Sequence, residues 1–435
     1  MYRTLDAPLS VHLEFTSSCN HKCRHCYNFW RPSKDIPSVI LTKDLAAKVV
    51  EQLGESRIFH VTLTGGEPLL NMDVLVFTMK ELAGRNISFG LNSNASLLTE
   101  KRAKVLREAG LKTILVSLLS YNKTTQDFIT NRPGSYERTI RGIKLARANS
   151  FRVAVNMVVS QTNLSHVVKT GLFAKDLGAF AFSATRVMPP RYGTETIATE
   201  FILSREDVKS IMHQMVQLKD SDLHLESLVP YPACSFETLE ETQIFGGRTC
   251  SAGKTSCAIG ADGSVRACPH HEEKYGQVGN ESLGAIWAKM SDWRDGSLLP
   301  SECKTCPSVA RCGGGCRIAA PETSLCAKDP LMQKPGNFRL TAPRQTAISI
   351  GMDSVLRVRN QCRFRNDFAM GIVNTGGIKN TFVGHNTLRL LQEVSKRQTF
   401  KPEELKVEYS IEMKNSDYLC FLDDLVCKNV LELAV

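Results

Sequence analysis

Up to about residue 215, short apolar and β-branched runs alternate with longer stretches in which apolar positions recur at helical spacing. Residues 11–15 read as extended, and Thr42 is placed to cap a helix through Leu53. A strand at 58–63 runs into Gly65-Gly66-Glu67-Pro68, and a helix follows at 73–85. The alternation continues with a strand at 87–91, a helix capped by Thr99 that ends at Ala109, and a strand at 113–118. A helix at 135–148, a strand at 152–159, a helix at 166–177 and a weaker strand at 179–183 complete it. Six βα units with short connections predict a parallel sheet with helices packed outside it. Sites in such folds lie at the C-terminal ends of the strands.

From about 216 to 330 the periodicity fades while Gly, Cys and Pro rise. A segment so poor in apolar residues needs staples, and bound metal can supply them. Its clear helix signal is at 283–290, with Trp287 on the apolar side. Gln333-Lys334-Pro335-Gly336 reads as a linker. Short strand candidates follow at 347–350, 355–358, 371–373 and 381–383. Asn386 is placed to cap a helix to Ser395, and helices at 401–408 and 416–428 precede a strand at 430–433. The expected architecture is α/β: a partial (β/α)6 TIM-like barrel over 1–215, a small cysteine-rich domain over 216–330, and a winged-helix-like α+β domain over 331–435.

Composition narrows the class. Apolar content of 42% and charged content of 23% are those of a globular chain. No run has the length of a membrane span, and the N-terminus lacks the apolar core of a signal peptide. The expectation is a cytoplasmic protein with no membrane partner. The net charge of +10 permits an acidic partner, but no dense Lys/Arg block points to nucleic acid.

The fifteen cysteines are unevenly spread: none lies between Cys26 and Cys234, and nine fall from Cys234 to Cys326. In a reducing compartment such clustering reads as metal binding. The stretch Cys19-Asn20-His21-Lys22-Cys23-Arg24-His25-Cys26-Tyr27 spaces Cys19, Cys23 and Cys26 as C-x3-C-x2-C directly after the first strand. Three thiolates from one loop can ligate three irons of a four-iron cube and leave the fourth open, whereas a closed cluster usually takes four cysteines. A zinc site completed by His21 or His25 is the alternative.

With Gly65, Gly66, Glu67 and Pro68 at the end of the second strand, the loop makes residues 8–215 resemble a radical S-adenosylmethionine (SAM) enzyme. The resemblance implies that the open iron chelates SAM and that the Gly-Gly-Glu-Pro turn contacts its amino group, with Glu67 as an acceptor for the amine. It further implies that Asn94, Ser117 and Arg132 line the SAM site, although Leu119 replaces an Asp that relatives carry after the serine. The implied chemistry is reductive cleavage of SAM, and the 5′-deoxyadenosyl radical so formed abstracts hydrogen from substrate.

Cys250, Gly263 and Cys268, then the C-x2-C-x5-C-x3-C run from Cys303 to Cys316, then Cys326, resemble the SPASM extension of peptide and protein maturases. The resemblance implies two auxiliary four-iron clusters. Cys250, Cys257, Cys268 and Cys316 would hold one, and Cys303, Cys306, Cys312 and Cys326 the other. Cys234 is the rival of Cys257. Otherwise Cys234, Cys362, Cys420 and Cys427 read as buried apolar residues. Zinc knuckles, or clusters that only staple the fold, are the alternatives. Residues 261–265 read as a tight turn between strands that bring Cys250 and Cys268 together.

The C-terminal order of strands and three helices resembles PqqD-like domains, which hold a leader peptide along a sheet edge. The resulting expectation is an enzyme with SAM and three 4Fe-4S clusters that modifies a ribosomally made precursor peptide. The modification would be a thioether, a carbon–carbon cross-link or backbone fragmentation, with flavodoxin or ferredoxin as electron donor. Formylglycine formation, as in sulfatase maturation, is a second reading. Pro269 follows Cys268 where that reading would place an Asp. A non-catalytic iron–sulfur redox or peptide-binding protein is a third. For acid/base work the sequence nominates His270, His271 and Tyr275.

Overall fold

In the computed structural model, residues 4–31, 36–188, 201–319, 324–333 and 350–434 are described. Seven strands follow one another in parallel: β1 (Ser10–Glu14), β2 (His60–Thr64), β3 (Ser88–Ser93), β4 (Thr113–Ser117), β5 (Arg152–Val159), β6 (Ala181–Arg186) and β7 (His224–Glu226). On the other side of β1 the sheet continues into the cysteine-rich region. There β8 (Ser256–Ile259) pairs parallel to β1, with Ser10 opposite Ser256 and Val11 opposite Cys257. β9 (Ser264–Arg266) and β10 (Gly276–Gln277) extend it antiparallel. The result is one ten-stranded sheet that crosses residue 215, with the curvature of a partial barrel.

Alternation along the strands explains the core. Val11 and Leu13 of β1 and Val61 and Leu63 of β2 are fully buried. They meet Val49 and Leu53 of the helix Lys43–Glu55, and Leu75, Met79 and Leu82 of the helix Met72–Gly84. Each such side chain contributes roughly 1.5–3 kcal/mol by leaving water. Thr42 and Thr99 cap their helices as expected, each side-chain oxygen accepting a backbone N–H three residues on. The helices Lys123–Thr130 and Arg205–Gln217 were not anticipated, although Asn122 and Ser204 cap them.

The C-terminal body contains β11 (Leu356–Val358), β12 (Arg363–Asp367), β13 (Met370–Gly376), β14 (Lys379–Val383) and β15 (Leu431–Leu433). β11 pairs with β15, and β12, β13 and β14 form a separate antiparallel sheet. Helices His385–Val394, Pro402–Glu408 and Asn415–Cys427 cover a core of Leu356, Val373, Leu391, Leu422 and Leu425. The cap of the first helix is Gly384, and Asn386 falls inside its first turn. The expected linker at 334–336 and the start of the strand expected at 347–350 lie outside the described residues.

This body docks where the barrel strands begin. Arg365 is almost fully buried, pairs with Asp367 at 2.7 Å, and donates to the carbonyls of Ala7 and Pro8, each at 2.7 Å. Ile372 packs with Leu5, Leu9 and Phe59. β12 had no sequence signal because four of its five Arg-Phe-Arg-Asn-Asp residues are polar, and two of its charges are used in this contact. Among the described residues no helix is long and apolar enough to cross a membrane.

Candidate active site

The cysteine loop leaves the C-terminal end of β1, at the opposite end of the barrel from the C-terminal body. The helix Lys123–Thr130 holds it: Lys22 N–H donates to the carbonyl of Thr130 at 3.1 Å and Arg24 N–H to that of Ile129 at 2.9 Å. The Arg24 guanidinium lies over the Phe128 ring. Within the loop His21 N–H reaches Cys19 Sγ at 3.4 Å. Burial pushes the Cys19 thiol up to about 12, with Glu67 and Cys26 adding to the rise. Cys23 is pushed up by burial and by both neighbouring cysteines. Thiols gathered in this way lose their protons together only when cations stand among them, which fits a group that brings iron.

His21 and His25 stay neutral, their pKa lowered to about 4 chiefly by burial. Among the described residues no three His, Cys, Asp or Glu side chains converge closely enough for a single metal ion.

The Gly-Gly-Glu-Pro turn lies directly against the chain entering this loop. Gly66 N–H donates to the carbonyl of Thr16 at 2.7 Å, and Glu67 N–H to that of Ser18 at 2.9 Å. A Cβ on Gly66 would stand 2.0 Å from the Ser18 oxygen, and Gly65 has φ +132°. The glycines thus serve a close approach of two backbone segments. Glu67 is fully buried, and its carboxylate accepts from Ser93 Oγ (2.7 Å), Leu69 N–H (3.1 Å) and Asn94 N–H (2.9 Å). Three donors hold the carboxylate in place, two on Oε1 and one on Oε2, and leave Oε2 with further acceptor capacity. Burial raises its pKa, and those donors oppose the rise. Pro68 starts a short 3₁₀ turn.

Asn94 joins the two motifs. Its amide N–H binds Glu67, and its side-chain nitrogen donates to Asn20 Oδ1 at 3.0 Å and approaches Cys19 Sγ at 3.8 Å. Asn20 in turn donates to Ser96 Oγ at 2.8 Å. Sequence reading missed Asn20, although its place directly after Cys19 was a signal. Ser117 ends β4 beside Asn156 of β5. Arg132 is exposed after the helix that holds the loop, and its charge acts on His21 together with that of Arg138.

In the cysteine-rich region, β8 and β9 form the expected hairpin around Gly263 (φ +83°). Cys250, Cys268 and Cys316 act electrostatically on one another. Cys303, Cys306 and Cys312 line a cavity of about 340 Å³. Cys257 is 1% exposed inside the barrel core, and burial alone raises its pKa. Cys326 is exposed, with its thiol 3.5 Å from the carbonyl of Ser297. Neither Cys257 nor Cys326 lines the cavity that Cys303, Cys306 and Cys312 line.

A model of the radical SAM superfamily matches residues 13–173, and one of the iron–sulfur cluster-binding SPASM domain matches 250–307. This is a radical SAM/SPASM enzyme. Among its relatives, an AdoMet-dependent heme synthase of Methanosarcina barkeri is 28% identical over 74% of this chain and 94% of its own. Mycofactocin maturase MftC of Mycobacterium tuberculosis is 25% identical over 74% and 82%. A solved structure of native anSMEcpe with bound AdoMet and Kp18Cys peptide superposes with a TM-score of 0.59 at 19% identity, covering 74% of this chain and 94% of that one.

In the radical SAM/SPASM enzyme the three acid/base candidates have different surroundings. His270 lies against Tyr27, with ring centroids 3.9 Å apart, and its own N–H reaches Cys268 Sγ at 3.4 Å. Its pKa is lowered to about 4, mainly by burial. His271 instead sits edge-on to Trp293. Tyr275 Oη lies 3.0 Å from Glu273 Oε2 and 3.2 Å from Asp292 Oδ2, with one proton to donate between them, and accepts from Trp293 Nε1. His270 thus contacts the SAM-side loop through Tyr27. A further pair escaped sequence reading: Arg266 of β9 binds Glu14 of β1 at 2.5 Å, both buried, and lies over the Phe29 ring. Burial lifts Glu14 to about 7 against the pull of Arg266.

Proposed function

We propose that this enzyme abstracts hydrogen from a ribosomally made precursor peptide and so installs a modification. Cys19, Cys23 and Cys26 would hold the SAM-side cluster, and two auxiliary clusters would bring the total to three. When bound, the reduced cluster and SAM supply a carbon-centred radical able to take hydrogen from an unactivated C–H bond. The chain's own part is positional. Asn94, Glu67 and Asn20 fix the loop, while Tyr27, Phe29 and His270 wall the space between it and the cysteine-rich region.

The observation that carries the reading is the body at 350–434, which lies beyond both matched segments. Its β14 edge pairs on one side only among the described residues, with half-exposed Ile378 beside it. Such an edge can take a leader peptide as an added strand. MftC and the peptide-bound anSMEcpe structure support a peptide substrate. A flavodoxin or ferredoxin is the proposed electron source.

Co-expression with the small peptide encoded beside the gene, followed by mass spectrometry, tests this. Loss of a hydrogen pair indicates a cross-link or thioether, and a larger loss indicates fragmentation. Leader peptide that fails to bind the full-length protein at high micromolar concentration sinks the recognition role.

The heme synthase relative favours a second reading, a tetrapyrrole substrate. The reduced enzyme with SAM should then form 5′-deoxyadenosine when given a tetrapyrrole and not when given the peptide.

A further inference from the structure

The cavity of about 340 Å³ in the cysteine-rich region is lined by four cysteines, one of them outside the sequence motif. Cys303, Cys306 and Cys312 belong to the C-x2-C-x5-C run, and the fourth is Cys234. It sits in a short 3₁₀ turn, Ala233–Ser235, that follows β7.

That turn is held against the motif. Ala233 N–H donates to Cys312 Sγ at 3.2 Å, so the backbone beside Cys234 already contacts a sulfur of the run. Ser235 Oγ donates to the carbonyl of Pro232 at 2.7 Å, and Lys209 Nζ donates to that of Ser235. Cys234 lies within electrostatic reach of Cys306 and Cys312, and Cys303 within reach of Cys234. The segment after Cys326 is fixed separately, by a buried ion pair between Asp329 and Arg186 at the end of β6.

We propose that Cys234 is the fourth thiolate of the second auxiliary cluster, with Cys303, Cys306 and Cys312, in place of Cys326. A cube spreads its cysteine sulfurs farther apart than one tetrahedral ion does. Four cysteines around a cavity, with no three converging on a point, suit the larger group. On binding, each thiol gives its proton to solvent as its sulfur bonds to iron, with no change of oxidation state required. Cys257 is a core residue of β8, opposite Val11. Cys250, Cys268 and Cys316 then form a three-thiolate group for the first auxiliary cluster. The inference rests on the reading that this segment carries clusters.

Alkylation of the whole wild-type protein tests it. Anaerobic protein with its clusters, and the same protein after iron chelation, is treated with iodoacetamide, and the modified cysteines are read by peptide mass spectrometry. Cys234 is expected to be shielded by the cluster and labelled after chelation, with Cys326 labelled in both. Labelling of Cys234 in the cluster-bearing protein overturns the proposal. If both are shielded, iron content decides. Cys234→Ala should lose about one cube, roughly four irons, and Cys326→Ala and Cys257→Val none. Loss from Cys326→Ala with retention in Cys234→Ala overturns it. Wild-type protein with iron for the first loop alone would instead reject the auxiliary-cluster reading, before any variant is made.

Discussion

The ring of His270 stands edge-on to that of Tyr27, 3.9 Å between centroids, so two residues that lie within two positions of cluster-type cysteines touch each other. Tyr27 adjoins Cys26, and His270 is two residues beyond Cys268. The contact joins the SAM-side loop to the first auxiliary cysteine group through side chains alone. His270→Ala should lower stability by about 2–4 kcal/mol through the buried void it leaves. His270→Phe should restore most of this, as read by thermal unfolding under anaerobic conditions. A wild-type melting curve and unchanged cluster EPR for the Ala variant would show that the contact carries nothing.

Gly66→Ala should be far more damaging than its single methyl suggests. The new Cβ would lie 2.0 Å from a backbone oxygen, so the turn or the entry to the cysteine loop has to shift. The expected result is loss of SAM binding and of iron from the first loop, with the auxiliary iron retained. Gly84→Ala, at the end of its helix with open space around the position, should instead add about 0.5–1 kcal/mol. Equal iron content in wild type and Gly66→Ala would refute the packing argument.

Removing Arg365 strands Asp367 and the carbonyls of Ala7 and Pro8 in a buried contact. Arg365→Ala should cost about 3–5 kcal/mol. Hydrogen exchange should rise at residues 5–9 while the cysteine loop stays protected. The double variant Arg365→Met with Asp367→Leu, which leaves no unpaired charge, should lose much less. Similar losses in both variants would argue against the ion pair as the organising element.

Acid should weaken the barrel through its histidines. His60 lies 3.0 Å from Ser88 Oγ, and its pKa falls from 6.5 to about 4, through burial first and then His12 and Arg363. The folded imidazole binds its proton more weakly than the unfolded one. Its stabilising contribution is therefore complete above about pH 6.5 and is lost as pH falls toward 4. The melting temperature should drop across that window, and His60→Gln should flatten part of the drop. An identical pH profile in the variant would remove His60 from the account.

The barrel was legible because each strand had a run of apolar residues and each helix a cap, as at Thr42 and Thr99. The C-x3-C-x2-C loop was legible because its spacing is local. What escaped depends on distant partners. β12 carries one buried arginine, Arg365, whose acceptors Ala7 and Pro8 lie more than 350 residues earlier, and no local pattern announces them. Cys257 lies outside the seven-cysteine spacing and was added from the resemblance alone; it belongs to a strand whose partner is β1 and is packed as core. The donors that hold Glu67 were not legible, because Ser93 and Asn94 are its neighbours in space and not in sequence.

The pairing of β1 with β8 also bears on synthesis. The strand that leads into the first cysteine loop finds β2 early, but its second neighbour arrives only with residues 256–259. Contacts of such sequence separation slow folding. Until they form, one edge of β1 presents unpaired backbone groups, a template for association with other chains. A fragment cut at residue 173, where the radical SAM match ends, would keep that edge open permanently. The shortest barrel fragment fit for expression therefore extends through Ile259, because the cysteine-rich half supplies the strand that closes the first.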